Sequence, residues 1–204
     1  MGESADATRP EVLTIGHSNY AIDKLICLLE QHQVQVLVDV RSQPRSKYVP
    51  HFDAASLKRA VEAAGLKYLF LGKELGGMPE GKEFYDAEQH ALYARIAAWE
   101  PFQRGIARLL EGIRKHRVAI MCSEEDPTDC HRRLLVGRVL REHGIAVRHI
   151  RGDGRIQPEE ELVRQEETKK ANQMELAFVV RDEETWKSTQ SVSRRRRPSS
   201  SSGR

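Results

Sequence analysis

Cysteine is scarce in this chain, aromatic residues make up only 6% of it, and long apolar runs are missing. Each shortage excludes something. Three cysteines in 204 residues, an odd number, do not make a disulfide framework, so the thiols are expected to be reduced. No apolar stretch approaches the roughly 20 residues that span a bilayer, so no membrane partner is expected. The opening "MGESADATRP" lacks the basic and apolar regions of a signal peptide, which makes the cytoplasm the expected location. The Gly-rich phosphate fingerprints GxGxxG and GxxxxGK(S/T) are also absent.

A charge excess of one sign is missing from most of the chain as well. The formal net charge is +3, but five arginines stand in the final stretch "RRRRPSSSSGR", and without them 28 basic residues face 30 acidic ones. Charge balance therefore gives no support to a broad DNA-binding face, while local basic clusters stay open. What the chain does have is 39% apolar and 31% charged residues, the composition of a soluble protein with one sizeable core.

Along the sequence, short apolar runs alternate with helical spacing. "EVLTIGHS" reads as a strand closed by a glycine turn, and "AIDKLICLLEQHQ" as a helix with Ile22, Leu25, Ile26 and Leu29 on one face. "VQVLVDVRS" is a β-branched second strand, followed by the helix "DAASLKRAVEAAG" with Asp53 as N-cap and Gly65 as stop. "LKYLFLG" is a third strand. After the irregular excursion "KELGGMPEGKEFYDAEQHALYARIAAWE" comes the helix "PFQRGIARLLEGIRKH", with Pro101 in its first turn. "RVAIMCS", "CHRRLLVGRVLREHG" and "IAVRHIR" give a fourth strand, a helix ending at Gly144 and a fifth strand. Such alternation predicts an α/β sandwich, a mostly parallel sheet of about five strands with helices on both faces.

Ligands of open parallel sheets bind beyond the carboxyl ends of the strands, and the polar residues of this chain fall there. The first strand ends in Gly16, His17 and Ser18; the second in Asp39, Arg41 and Ser42, followed by "QPRSKYVPHF" with Arg45 and Ser46. The third leads to Gly72, Gly76 and Gly77; the fourth ends in Cys122, Ser123 and Glu124.

"TIGHSN", "DVRSQPRSKYVPHF", "LGKELGG" and "MCSEEDPTDCHRRLL", in this order and spacing, resemble the bacterial and archaeal family known as domain of unknown function 488. The resemblance covers about residues 12 to 151. It implies a Rossmann-like α/β fold and a site at these motifs; it implies no reaction.

Residue types carry the chemistry further. With Thr128 or Asp129 capping a helix that begins near Cys130, the thiol sits at the positive helix end beside His131, Arg132 and Arg133, a setting that favours the thiolate. Cys130 also stands four residues before Leu134, so it can equally face the core. Zinc held by Cys122, Cys130 and His131, with His17 brought in, is a weaker reading: paired ligands usually stand two to four residues apart, and these thiols have seven residues between them. The reading adopted from sequence is therefore no metal.

Arg41, Arg45 and Lys47 flank Ser42 and Ser46 on a loop stiffened by Pro44 and Pro50, which suits a phosphate or carboxylate; pairing of Asp39 and Arg41 with other loop charges would instead merely fix the rim. His17 and Glu124 are placed as proton carriers, with a hydrogen-bonding post as the alternative for the histidine. "LGKELGG" reads as a turn bringing Gly76 and Gly77 close to the site.

After Arg151 the chain becomes charged and is expected to be a largely flexible extension, residues 152–204, with a solvated helix near 158–170. Inside it "QMELAF" resembles the short peptide with which bacterial replication and repair proteins dock to the DNA polymerase sliding clamp. Gln173 would set the register, and Met174, Leu176 and Phe178 would enter an apolar groove. The sequence thus predicts one Rossmann-like domain over residues 10–151 that acts in DNA maintenance or repair. Two classes of function stay open. In one, Cys130, His131, Cys122, Glu124 and His17 are catalytic, and Ser18, Asp39, Arg41, Ser42, Arg45, Ser46, Gly76, Gly77 and Arg132 bind a phosphorylated small molecule or nucleic acid. In the other, the chain is a nucleic-acid-binding module with structural thiols.

Overall fold

The apolar runs pair edge to edge into one sheet. A computed structural model describes residues 10–173 and 186–192. Five parallel strands, β1 (Glu11–Gly16), β2 (Val36–Asp39), β3 (Lys67–Phe70), β4 (Val118–Cys122) and β5 (Ala146–Ile150), lie in the order β3-β2-β4-β1-β5. A sixth, β6 (Ile156–Pro158), adds antiparallel to β5. β2 and β4 are buried along their whole length, as expected of parallel strands covered on both faces.

Alternation along each strand divides the core in two. Val36, Val38, Ile120 and Val147 face Phe102, Ile106 and Leu109 of α5 (Glu100–Lys115) and Leu140 of α6 (Arg138–Glu142). Leu37, Leu13, Ile15 and Met121 face Leu25 and Leu29 of α1 (Ile22–Gln31) and Leu57 and Val61 of α2 (Ala54–Ala63). Each of these fully buried large side chains contributes about 1.5–3 kcal/mol over an exposed one. The long excursion is built from α3 (Gly72–Leu75), a 3-10 turn at Lys82–Phe84 and α4 (Tyr93–Ala97). Among the described residues no helix is long and apolar enough to cross a membrane.

Two helix starts differ from expectation. Asp53 occupies the N-cap position of α2, but its carboxylate accepts a hydrogen bond from the Ser46 amide at 2.8 Å and makes no cap. Neither Thr128 nor Asp129 caps the helix after Cys130; Asp126 receives the Thr128 amide instead, and Arg132–Gly137 form a π-helix that runs into α6.

The stretch after Arg151 begins with structure packed on the sheet. Glu159, first residue of α7 (Glu159–Gln173), is buried and meets Arg133 at 2.9 Å and His149 at 2.8 Å, while Thr14 Oγ1 meets the other nitrogen of His149 at 2.8 Å. Residues 186–192 also dock. The Trp186 indole donates to the Leu134 carbonyl at 2.8 Å, the Tyr93 amide donates to the Trp186 carbonyl at 2.9 Å, and Val192 is buried. Gln173 closes α7; Met174, Leu176 and Phe178 of the clamp-like peptide lie outside the described residues.

Candidate functional site

β4 delivers Cys122 to the carboxyl edge of the sheet, and residues 123–129 then double back. Arg132, fully buried, holds this turn: its guanidinium donates to the carbonyls of Glu124 and Glu125, the latter at 2.7 Å, and its Nε to Thr14 Oγ1 at 3.3 Å. The doubling back returns Cys130 and His131 to the side of Cys122. Both thiols reach the same Glu124 oxygen at 3.1 Å, and His131 Nδ1 lies 3.6 Å from Cys122 Sγ. His131 Nε2 meets the Val40 carbonyl at 3.0 Å, so Nε2 carries a proton and Nδ1 is the nitrogen that faces the sulfurs. Gly77 makes room for this ring, since a Cβ there would lie 2.6 Å from His131 Cγ.

The cluster is electrostatically polarised. Burial opposes the Cys130 thiolate, yet a hydrogen bond from Cys122 and the charges of Arg132 and His131 hold Cys130 well below the usual thiol range. Cys122 moves the opposite way, raised by its hydrogen bond to Cys130, by burial and by Glu124. His131 is disfavoured by burial but raised by Cys130 and Glu124. The lowered Cys130 pKa thus comes from its side-chain neighbours, in the absence of any side-chain cap on the helix that follows.

A second cluster closes the end of β2. Arg41 grips Asp39 with two parallel hydrogen bonds, Nε to Oδ1 at 2.9 Å and Nη2 to Oδ2 at 2.6 Å, and Tyr68 donates its hydroxyl to Asp39 Oδ2 at 2.8 Å. Arg41 Nη1 lies 3.0 Å from His17 Nε2, and His17 Nδ1 lies 2.8 Å from the Ser18 carbonyl. The ring therefore donates through Nδ1 and accepts through Nε2. Burial and Arg41 lower its pKa to about 4, and it stays neutral at physiological pH. His17 is also stacked on Phe52, with centroids 4.2 Å apart.

Between the clusters lies a cavity of about 70 Å³, room for a few waters or one small polar group. Cys122, Glu124 and His131 line it together with Arg41, Ser42 and Gly77. Ser42 Oγ accepts the Met78 amide at 3.0 Å, which ties the Gly76–Gly77 turn to the loop after β2. That loop continues into exposed Arg45 and Lys47 and into Tyr48, which is 85% exposed. Ser46 organises it from within, accepting the amides of Tyr48 and Val49 at 3.2 and 3.3 Å.

The family model described as "Domain of unknown function DUF488" matches residues 21–139, more than half of the chain. The chain belongs to this family. No curated protein and no solved structure matches the chain. The DUF488 match runs from α1 into α6, so it includes Asp39, Arg41, Gly77 and the whole turn from Cys122 to Arg132. The family description assigns no reaction.

Of the residues singled out from sequence, Cys122, Glu124, Cys130 and His131 do come together, and Arg41, Ser42 and Gly77 share with Cys122, Glu124 and His131 the lining of the cavity. Others stand apart. Arg132 is spent on backbone carbonyls, Asp39 on Arg41 and Tyr68, and His17 on Ser18 and Arg41; Gly76 packs against Ser42, and Ser46 serves its own loop. Ser18 is half-buried with a φ of 45° at the turn after β1. Sequence reasoning missed the Val40 carbonyl, Thr14, and the pair His149–Glu159. A signal existed for His149: in "IAVRHIR" it shares its strand face with Val147 and so points inward.

Proposed function

We propose that the chain is an enzyme, a hydrolase or transferase, that acts on a phosphate-bearing ligand, a nucleotide or nucleic acid, at the cavity between the two clusters. One observation carries this reading: Cys122, Glu124 and His131 line a polar cavity, and the loop that lends it Arg41, Ser42 and Gln43 runs on into Arg45, Lys47 and Tyr48, two exposed cations beside an exposed aromatic residue. Polarised titratable groups in a cleft are the common mark of a reacting centre. Cations interleaved with an aromatic ring suit a sugar–phosphate backbone and the face of a base. Arg41 belongs to the wall rather than the grip, because Asp39 already neutralises it.

The test is anisotropy of a labelled single-stranded oligonucleotide against the full chain at low salt. Binding should weaken steeply with salt and fall when Arg45 and Lys47 are replaced by alanine. An oligonucleotide, and nucleoside phosphates used as competitors, that fail to bind the wild type at low salt would sink the reading.

The role in DNA maintenance, set in the cytoplasm, is part of the same proposal and is supported by the pattern "QMELAF" alone. Burying Leu176 and Phe178 in a groove would supply about 1.5–3 kcal/mol each, so the two together provide about 3–6 of the roughly 8 kcal/mol that micromolar binding needs. Titration of a peptide of residues 168–184 against purified sliding clamp checks this, and no binding at high micromolar concentration would remove the recruitment arm.

A further inference from the structure

Seven residues between two cysteines argue against a metal only while the intervening chain is extended. Here it folds back on itself. Cys122 Sγ, Cys130 Sγ and His131 Nδ1 all lie within 4.8 Å of one another, and all three residues are buried. For tetrahedral zinc, bonds of about 2.3 Å to sulfur and about 2.0–2.1 Å to nitrogen imply a sulfur–nitrogen edge of about 3.6 Å. The Cys122–His131 separation is 3.6 Å.

We propose that the protein binds one zinc ion through Cys122, Cys130 and His131, with the Glu124 carboxylate as fourth, cavity-facing ligand. The histidine is prepared for this role: its far nitrogen is engaged by the Val40 carbonyl, the outer-shell partner that metal-bound imidazoles ordinarily have, and its near nitrogen faces the sulfurs. Gly77 runs close beside the ring, where a Cβ would lie 2.6 Å from His131 Cγ. Glu124 already touches both sulfurs at 3.1 Å, so a carboxylate oxygen stands beside the soft ligands. Two thiolates select a soft or borderline cation, and the mixed sulfur, nitrogen and oxygen set suits zinc above magnesium or calcium. Two thiolates, one carboxylate and Zn²⁺ sum to one negative charge, which the buried Arg132 guanidinium offsets from the Glu124 carbonyl. On binding, the remaining thiol protons leave to solvent. The inference rests on the reading of this cluster as the working centre. Because Glu124 also lines the cavity, it is the ligand a substrate oxygen would displace.

The experiment uses the full chain purified without chelator, with metal content measured by mass spectrometry and the metal-free protein titrated with Co²⁺ and then Zn²⁺. The expected result is about one zinc per chain and, with Co²⁺, tetrahedral visible bands plus a thiolate-to-cobalt charge-transfer band that Zn²⁺ abolishes. Cys130→Ser should weaken zinc binding by roughly 100-fold or more, since outer-shell changes alone cost roughly 10–100-fold. If that variant does not fold, Glu124→Gln decides: it should keep the charge-transfer band and change the visible bands. Protein that holds no metal, gives no charge-transfer band with Co²⁺, and alkylates Cys122 and Cys130 at one rate with and without Zn²⁺ would overturn the proposal. A Cys122–Cys130 disulfide in protein prepared under reductant would also overturn it. Zinc without oligonucleotide binding would leave the metal standing and remove the phosphate-ligand reading; oligonucleotide binding without zinc would do the reverse.

Discussion

At the end of β2, Asp39, Arg41, Tyr68 and His17 satisfy one another: the carboxylate takes three side-chain donors, and both nitrogens of the imidazole are engaged. At the end of β4, Cys122, Cys130, Glu124 and His131 are equally close-set, but two thiols share one carboxylate oxygen and the group borders a cavity. The first cluster uses its polar atoms up. The second keeps chemistry in reserve. Sequence alone leaves both open, since the arginine-rich loop could grip a ligand or fix the rim, and the cysteines could react or face the core.

The sharpest way to break the contrast is to remove the carboxylate at the centre of the closed cluster. Asp39→Ala leaves the Arg41 guanidinium buried without its partner and should cost about 3–5 kcal/mol in urea denaturation. A loss under about 1 kcal/mol would show that water already enters this cluster.

Acid should act through the same cluster. His17 has its folded pKa lowered to about 4 against 6.5 for the free side chain. The unfolded chain therefore takes up the proton first as pH falls. Stability from this group is full above pH 6.5 and is lost as pH drops toward 4, by about 3 kcal/mol. Denaturation followed across that window should show the decline, and His17→Gln should flatten it.

Gly77→Ala probes the open cluster. A methyl group 2.6 Å from His131 Cγ forces the ring to move, at about 1–3 kcal/mol by thermal denaturation. In metal-free protein, iodoacetamide should then label Cys122 faster than in the wild type. Unchanged stability and labelling would mean the ring is not held there.

The smallest effect on the fold is expected on the exposed loop after Ser42. Arg45→Ala should leave stability within about 0.5 kcal/mol of the wild type while reducing the salt slope of oligonucleotide binding by about one. Affinity and slope that match the wild type would remove Arg45 from the grip.

Much of the fold was legible because short β-branched apolar runs such as "VLVD" and helical spacing such as Ile22, Leu25 and Leu29 are local properties of the chain. β6 was not, since a three-residue edge strand has too little pattern to stand out. Docking of Trp186 beside Leu134 and Tyr93 was invisible for a different reason: it joins Trp186 to one residue 52 positions away and to another about ninety away through a few contacts. At the site, the strand-end rule brought the right segments together. It could not tell that Arg41 turns back onto Asp39 two residues away, nor that residues 123–129 fold double and cancel the spacing argument against a shared ligand. Partner choice among loop side chains depends on three-dimensional placement, which the spacing of residue types does not encode.

The π-helix at Arg132–Gly137 gives the site slack in its residue count. Its wide turns hold more residues than an α-helix of the same length, so six residues here sweep about the angle that five cover in an α-helix at roughly 100° each. Deleting one residue between Leu134 and Gly137 would therefore let this segment relax to an ordinary helix while Cys130 and His131 keep their place beside Cys122. The same deletion inside the regular turns of α6 has no such slack and would swing every earlier residue by about 100° relative to the helix behind it. A chain shortened by one residue in the π-turn should thus keep the close approach of Cys122, Cys130 and His131, and a chain shortened inside α6 should lose it.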